Sequence, residues 1–595
     1  MSRHSHFYSD EDIDKSYDIK LLNRFFAYLA PYKWTFWFAV FISLISTAVA
    51  LVLPHITKIA IDKYIMVGDF EGLKKLVFIY AAFLFAGGLS SWGMNYSIAF
   101  TAQSVIRDIR VALFSHLQKL KIKFFDLNPV GRLVTRVTND EEALNDMISN
   151  VGATIFANIF TVIGAIWLML QLDVKVSLIT FLVIPPLVIS LNLFRIRAKK
   201  AYRTVRKWLA QINVLLSEYF EGMKTTKLFN REQENCHKFT AVNKEYYNSN
   251  MKQVIVYGTF MPITELLLSV GTALIIWWGG GEALQSKITI GTLVAFTSYI
   301  RLLFQPIIDF SHKLDTVQSS LAAAERIFLL MDTKDFEYDD EKAVSQHLKT
   351  KGEIEFKNVW FSYEDTPNPE NWVLKDINLR IKPGERIAVV GPTGAGKTSI
   401  IGLIVKFYTP QKGEILIDGI PIQNIKHAEL RSKLALVTQD SYIFSGTIRD
   451  NIKLRDSKVT EEEIQRAAEI TNVTKFIDKM PGKYDEEIKE RGTNLSSGER
   501  QLLTFARAIA VNPSILILDE ATREVDSLTE GLIQDATHKL LENRTAIVVA
   551  HRLSTIKNVD RIIVISDGKI IENGTHEELI KNDGFYAVLY NLQYT

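Results

Sequence analysis

Six long apolar runs fill the first half of the chain. Residues 34–57, 76–106, 147–172 and 176–194 contain no Asp, Glu, Lys or Arg, while 253–281 contains only Glu265 and 288–308 only Arg301. A helix rises about 1.5 Å per residue, so about 20 apolar residues cross the ~30 Å hydrocarbon core of a bilayer. Helices of soluble proteins rarely present six such runs in succession. The pattern therefore predicts six membrane-spanning helices within 34–330. A polar segment, 1–33, precedes them. It carries one amphipathic stretch, Leu21–Leu29, which predicts a helix lying at the interface, and no cleavable signal peptide is read in it. Residues 331–352 are charged and poor in apolar residues, the composition of a solvated linker. Beyond them, from 353 to 595, short apolar runs bounded by turns read as buried strands.

Lys and Arg counts orient the spans. The connections 107–146 and 195–252 carry 7 and 13, whereas 58–75, 173–175 and 282–287 carry 4, 1 and 1. The positive-inside rule places the two long connections, and everything after the sixth span, in the cytoplasm. Both connections are helical in pattern and each contains a break. One break lies at Phe124–Gly131, with Asn-Pro and Gly as punctuation, and the other at Glu221–Phe229. Glu265 and Arg301 lie at similar depth counted from the outer boundary, about 20 Å along their helices. An ionisable group in a span usually faces a partner or a wet cavity, so one expectation is an ion pair between the two and the other is that each snorkels or meets an unrelated polar group.

Chemistry enters at Gly391-Pro-Thr-Gly-Ala-Gly-Lys-Thr398, which fits G-x-x-x-x-G-K-[ST]. A strand pattern, Arg386–Val390, precedes it and a helix pattern, Thr398–Val405, follows. Such a turn lets backbone N–H groups converge on phosphate oxygens at a helix N-terminus. Lys397 would reach the β- and γ-phosphates and the Thr398 hydroxyl would ligate Mg²⁺. Far downstream, Ser514–Glu520 is a buried strand ending in two carboxylates. Asp519 is placed for the Mg²⁺ shell and Glu520 for polarising an attacking water. A further strand, Thr545–Ala550, delivers His551 to the same sheet edge.

Between these motifs stands Leu495-Ser-Ser-Gly-Glu499. With it, the region 353–595 resembles the nucleotide-binding domain of ABC transporters. The matching residues are the phosphate loop, a glutamine loop at Thr438-Gln439-Asp440, the signature at 495–499, the strand ending at Asp519, a D-loop ending in Asp526, and His551. Tyr363 stands where that family places the aromatic that stacks on adenine. The six spans ahead of one such domain resemble the exporter-type half transporters of the multidrug, lipid and peptide branch. The resemblance implies a fold: an α-helical six-span membrane domain, then an α/β phosphate-loop domain with an antiparallel β subdomain and an α-helical subdomain. It implies that ATP and Mg²⁺ are held by Tyr363, Gly391, Pro392, Thr393, Gly394, Ala395, Gly396, Lys397, Thr398, Ser399 and Gln439, with Thr398, Gln439 and Asp519 on the metal and Glu520 and His551 catalytic. It also implies that Ser496, Gly498, Glu499 and Asp526 act on ATP held by a second nucleotide-binding domain. The breaks at 124–131 and 221–229 resemble the transverse helices of the intracellular loops that dock on those domains.

The expected function is ATP-driven export of an apolar or amphipathic substrate (drug-like, lipid or peptide) across the cell membrane, by a multi-pass protein with its ATPase domain in the cytoplasm. The alternatives are an importer built on the same fold and a module in which ATP gates a channel. The intact Glu520 and His551 weigh against the second. Each closed site needs a phosphate loop and a signature from different domains, so the partner is a second half transporter. The signature departs from the usual Leu-Ser-Gly-Gly-Gln at Ser497 and Glu499, and the D-loop carries Arg523 and Glu524 where small residues are usual. These changes resemble heterodimeric exporters with one degenerate site, so a heterodimer is expected ahead of a homodimer.

Composition adds little. Of 595 residues 47% are apolar and the net charge is +2, which gives no argument for nucleic acid as a partner. The single cysteine, Cys236, excludes an intrachain disulfide. Trp277 and Trp278 fit interfacial anchoring as well as an apolar substrate.

The orientation is open to direct test in a Cys236→Ser background. Cysteines placed at Met66 or Gln285 are expected to react with an impermeant thiol reagent outside intact cells, and cysteines at Asn128 or Thr226 are expected not to. The reverse labelling pattern would overturn the assignment.

Overall fold

A computed structural model describes residues 18–337, 339, 351–364, 366–368, 370–439, 442–454, 459–519, 527–549, 556–557 and 559–594. Contacts divide the chain into two compact units. One holds residues 1–119 and 128–334, and the other holds 120–127 and 335–595.

The first unit is helical. α1 (Asp18–Leu29) is amphipathic, as its spacing predicts, and buries Phe25 and Leu29. The remaining helices are α2 (Lys33–Ile59), α3 (Phe70–Leu117), α4 (Ile122–Leu127), α5 (Val130–Thr135), α6 (Glu141–Met147), α7 (Ala153–Leu172), α8 (Val174–Phe181), α9 (Ile184–Glu221), α10 (Met223–Leu228), α11 (Glu232–Leu274), α12 (Gly280–Leu284) and α13 (Ile290–Met331). Among the described residues six helices are long and apolar enough to cross a membrane. α3 has 48 residues, about 72 Å at the α-helical rise, more than twice the hydrocarbon thickness. Side chains such as Phe78, Phe85 and Trp92 remain exposed along it, as a lipid-facing surface requires.

Close approach and a few polar ties hold the bundle. α2 packs on α3 and α7, and α13 on α2 and α7, while α9 runs along α11. A Cβ added at Gly164 of α7 would meet the Leu51 side chain of α2, so the missing side chain permits this crossing. Tyr299 of α13 is fully buried and donates to the Leu51 carbonyl at 2.9 Å. Just beyond the C-terminal end of α2, Asp62 accepts from the Thr289 hydroxyl at 2.5 Å and the Gly291 N–H at 2.8 Å. A carboxylate there satisfies orphan donors at the start of α13.

The expected pairing of Glu265 and Arg301 is not formed. Both side chains are exposed, and no ion pair joins them. Depth alone suggested the pair, but helical phase decides against it. α11 faces α13 through Gly271, where a Cβ would strike Ile300, and Thr264 is buried about two turns earlier. Glu265 follows Thr264 and Arg301 follows Ile300, so each is turned about 100° from a packed position.

The second unit contains the sheets. A four-stranded antiparallel sheet has the order β2 (Leu374–Ile381), β1 (Ile354–Phe361), β4 (Lys412–Ile417), β5 (Ile420–Pro421). The main sheet has six strands in the order β12 (Lys569–Gly574), β11 (Arg561–Ser566), β3 (Arg386–Val390), β10 (Thr545–Val549), β9 (Ile515–Asp519), β6 (Leu434–Val437). β11, β3, β10, β9 and β6 run parallel, and only β12 is antiparallel. β6 is wholly apolar, and the other four parallel strands are apolar runs with polar residues only at their ends (Arg386, Asp519, Thr545, Arg561 and Ser566); they are covered on both faces by buried Ile, Leu, Val and Ala, as parallel strands require. A short pair, β7 (Gly446–Thr447) and β8 (Glu487–Ile488), lies apart from them. The helices used below are α14 (Lys397–Ile404), α15 (Ile448–Lys453) and α16 (Ser497–Ile509).

α4 groups with this unit. The Tyr408 hydroxyl donates to the Asp126 carboxylate, Lys121 pairs with Asp335 at 2.9 Å, and Leu120 bridges Phe336. Burial, reinforced by Asp126, pushes the Tyr408 hydroxyl above the usual phenol range. The break near residue 124 is therefore a short helix tied to the ATPase unit. The break near 221 also forms a short helix, α10, and leaves Phe220, Leu228 and Phe229 exposed.

Candidate nucleotide site

The main sheet brings the separated motifs to one edge. In the parallel register Val389 and Asp519 both pair with Val549, and Val437 pairs with Leu518. The C-terminal ends of β3, β10, β9 and β6 are thus level. From these ends the chain enters the phosphate loop, the segment of His551, Glu520 and the glutamine loop. Open α/β sheets bind their ligands at this edge. Glu520, Asp526 and His551 lie outside the described residues.

The phosphate loop is built for a ligand that contacts backbone. Gly394 and Gly396 have φ of +84° and +102°, in the left-handed region that favours glycine. A Cβ at Gly391 would strike the Ile565 carbonyl, and one at Gly396 would approach Leu374 to 2.6 Å. Ala395 is buried, Pro392, Thr393 and Gly394 are exposed, and Thr398 faces solvent at the first turn of α14. The Lys397 amine donates to the Gly391 and Pro392 carbonyls at 2.8 and 2.9 Å, inside the loop it would share with phosphate. Burial pushes this ammonium below the ordinary lysine range, and Asp519 opposes the shift. Asp519 is therefore within electrostatic reach of Lys397, as a common triphosphate and metal site requires.

Tyr363 is 43% exposed. Its hydroxyl hydrogen-bonds Ser399 of α14 at 2.9 Å, and its ring meets Phe361 and Tyr408 edge-on. The aromatic is thus tied directly to the phosphate-loop helix. A cavity of 410 Å³ opens beside it, lined by Lys121, Lys123, Phe336, Lys406 and Tyr408 among others. Gln439 follows β6 and is exposed.

The signature is not joined to this loop. Ser496 caps α16 in a capping box: its hydroxyl accepts from the Glu499 N–H, and the Glu499 carboxylate accepts from the Ser496 N–H at 2.8 Å. Gly498 is buried, whereas Ser496 and Ser497 are exposed. Among the described residues no hydrogen bond links 495–499 to 391–399. Sequence reasoning missed Arg507, near the far end of α16. It donates to the Asn451 and Tyr442 carbonyls at 2.9 Å and to the Asn451 side chain at 2.8 Å. This bracket fixes the signature helix to the chain that follows the glutamine loop. Burial lowers the Arg507 pKa to about 10, which leaves it charged at neutral pH. The Tyr363–Ser399 and Tyr408–Asp126 contacts were missed for the same reason: no local pattern marks a hydrogen bond across 36 or 282 residues.

Comparison with known proteins decides the family. Residues 36–307 match the ABC transporter transmembrane region, and 374–523 match the ABC transporter family of ATP-binding domains. The chain is 35% identical over 575 residues to the ATP-dependent lipid A-core flippase of Desulfotalea psychrophila, covering 96% of this chain and 99% of the flippase. It is 35% identical over 528 residues to the probable multidrug resistance ABC transporter ATP-binding/permease protein YheH of Bacillus subtilis, covering 88% and 77%. A solved bacterial Atm1-family ABC exporter with ATP bound superposes with a TM-score of 0.74 at 27% identity, over 95% of this chain and 98% of that one. The chain belongs to the ABC exporters. This ABC exporter subunit is a multi-pass membrane protein whose ATPase domain binds ATP and couples its turnover to transport. Its half-transporter architecture makes it part of a dimer.

Substitutions at two positions probe the site. Lys397→Ala removes the cationic phosphate contact and is expected to abolish labelling of this chain by an ATP photoprobe. Undiminished labelling would remove Lys397 from the site. Tyr363→Ala is expected to weaken ATP binding by roughly 1–3 kcal/mol through lost stacking, while Tyr363→Phe keeps the ring and most of the affinity. Equal losses in both would place the effect in the hydroxyl bonded to Ser399 instead.

Proposed function

We propose that this subunit exports an apolar or amphipathic small molecule, drug-like, lipid or peptide, as one half of a heterodimeric exporter in which its own phosphate loop forms the hydrolytic site. The observation that carries the reading is the level edge of four parallel strands. It levels the strand ends after which Lys397 and Gln439 follow and at which Asp519 stands, with Glu520 next in chain after Asp519, and this supports the reading. In this reading the backbone of Gly391–Ser399 cradles the phosphates, Lys397 neutralises the β- and γ-oxygens, and Tyr363 stacks on adenine. Thr398, Asp519 and Gln439 fit as the oxygen donors of Mg²⁺, which when bound supplies charge neutralisation at the phosphates. Glu520 takes a proton from the attacking water, and His551 orients that water and the γ-phosphate.

The partner supplies the second half of each site. Ser496 and Ser497 stand exposed at the start of α16, next to the buried Gly498, as contacts for a triphosphate held elsewhere, and Asp526 is assigned to that triphosphate in the same reading. Glu499 brings a negative charge to that helix start. At ~8 Å and an effective dielectric of ~20 it opposes each phosphate charge by about 2 kcal/mol. This weakens the site that this signature completes and leaves the chain's own phosphate loop unaffected, which favours a heterodimer over a homodimer. The exposed Phe220, Leu228 and Phe229 around α10 offer an apolar contact for the partner's ATPase domain, as the tied α4 does for this chain's own.

The test is Glu520→Gln in this chain alone, within the purified complex. General-base loss lowers a rate by ~10²–10⁴. The expected outcome is near-complete loss of ATPase activity with nucleotide still bound. Half the activity remaining would mean two equivalent sites, and an unchanged rate would remove Glu520 from the mechanism.

A further inference from the structure

α9 leaves the membrane on a run of seven cations. Arg195, Arg197, Lys199, Lys200, Arg203, Arg206 and Lys207 fall within 13 residues, and no Asp or Glu occurs from 195 to 217. All seven side chains are exposed, and none makes an ion pair among the described residues. Arg206 lies over the Tyr202 ring at 5.1 Å and Lys207 beside the Trp208 ring at 5.8 Å. Several exposed cations elsewhere on this chain's long helices do have carboxylate partners, as in Lys74–Glu71 and Lys238–Glu234.

The placement of these cations is ordered. Leu187, Phe194, Val205 and Ile212 are buried on one face of α9, where Phe194 stacks on Phe260 of α11 at 4.0 Å. Turned about 140° from that face, at steps of three and four residues, runs the stripe Ile189, Leu193, Ile196, Lys200, Arg203, Lys207. Its first three members are 60%, 48% and 69% exposed, and its last three are exposed cations. One surface stripe is therefore apolar from the uncharged run 176–194 as far as Ile196 and changes to cationic at Lys200. That run is about 29 Å long at the helical rise, one hydrocarbon thickness. Arg195–Lys200 then falls in the headgroup layer, and Arg203–Lys207 within about one Debye length of it.

We propose that this cytoplasmic continuation of α9 binds the headgroups of anionic phospholipids of the inner leaflet. The apolar half of the stripe meets acyl chains and the cationic half meets phosphates. Tyr202 and Trp208 lie against two of the cations, Arg206 and Lys207, within reach of the surface potential of an anionic leaflet. Charge complementarity selects the ligand: with no carboxylate in the run, the cations are open to an external anion, and the stripe continues directly from exposed apolar side chains at membrane depth. The inference goes beyond export and stands whether or not the transported substrate is a lipid.

The experiment uses the full complex in nanodiscs of phosphatidylcholine with graded phosphatidylglycerol. Native mass spectrometry reads retained phosphatidylglycerol, and a bimane on Ile196→Cys, in a Cys236→Ser background, reads quenching by headgroup-nitroxide lipid. The wild type is expected to enrich phosphatidylglycerol over phosphatidylcholine, with enrichment falling as salt rises. Lys200→Gln, Arg203→Gln and Lys207→Gln together are expected to lower that enrichment about tenfold or more. The charge-matched set Lys479→Gln, Lys569→Gln and Lys581→Gln in the ATPase domain is expected to leave it unchanged. Lys200→Arg with Lys207→Arg keeps the charge and is expected to retain the lipid, which separates binding from misfolding. Enrichment undiminished in the triple variant overturns the proposal. So does an unquenched bimane, which would mean that a protein partner covers the stripe. Displacement of the lipid by millimolar glycerol phosphate, with no membrane dependence, would assign the site to a soluble phosphate compound and likewise overturn it.

Discussion

A bilayer offers no partner for an unpaired backbone N–H or carbonyl, and the membrane unit follows from that constraint. Each crossing must be helical, and hydrogen bonding favours continuing a helix once it has left the hydrocarbon. α3, α9, α11 and α13 each exceed 35 residues, so one rigid element runs from the apolar zone into water. A displacement at the cytoplasmic end of such a helix is carried into the membrane with little loss. The breaks sit outside the apolar runs, where α4 and α10 can be short because water satisfies their ends.

The same accounting governs the ATPase unit from the opposite direction. Parallel strands must be covered on both faces, which makes them uniformly apolar and leaves their ends as the place for chemistry. The phosphate loop uses glycine where a side chain would collide with Ile565 or Leu374, and so turns backbone donors toward the ligand. Lys397 is buried and bonded to loop carbonyls, so the cation is already desolvated and aimed. That arrangement strengthens its attraction for phosphate relative to an exposed lysine.

Polar ties between distant segments convert these parts into a machine. Arg507 joins the signature helix to the chain after the glutamine loop. Tyr408 joins the sheet unit to α4, which continues the long connection from α3. Tyr363 is joined to α14 through Ser399. Each tie replaces water on a buried or half-buried polar group, so losing one partner would leave the other to be satisfied by water at a cost in stability.

The sequence by itself determined the number of spans, their orientation, the strand and helix on either side of the phosphate loop, and the identity of the nucleotide motifs. These rest on local pattern: uncharged length, the 3.6- and 2-residue periods, and the glycines that a tight turn demands. Tertiary structure alone decided which residues meet. Glu265 and Arg301 match in depth yet do not pair, because the phase at which α11 meets α13 is set by Gly271 and Ile300. The cations of α9 appear in the sequence as a topogenic charge count. Only packing of Phe194 on Phe260 shows that they share a stripe with lipid-exposed Ile189, Leu193 and Ile196. Arg507, Tyr408 and Ser399 have no motif of their own. Their partners lie 36 to 282 residues away, and a contact at that separation is fixed by how elements pack, which a local period cannot encode.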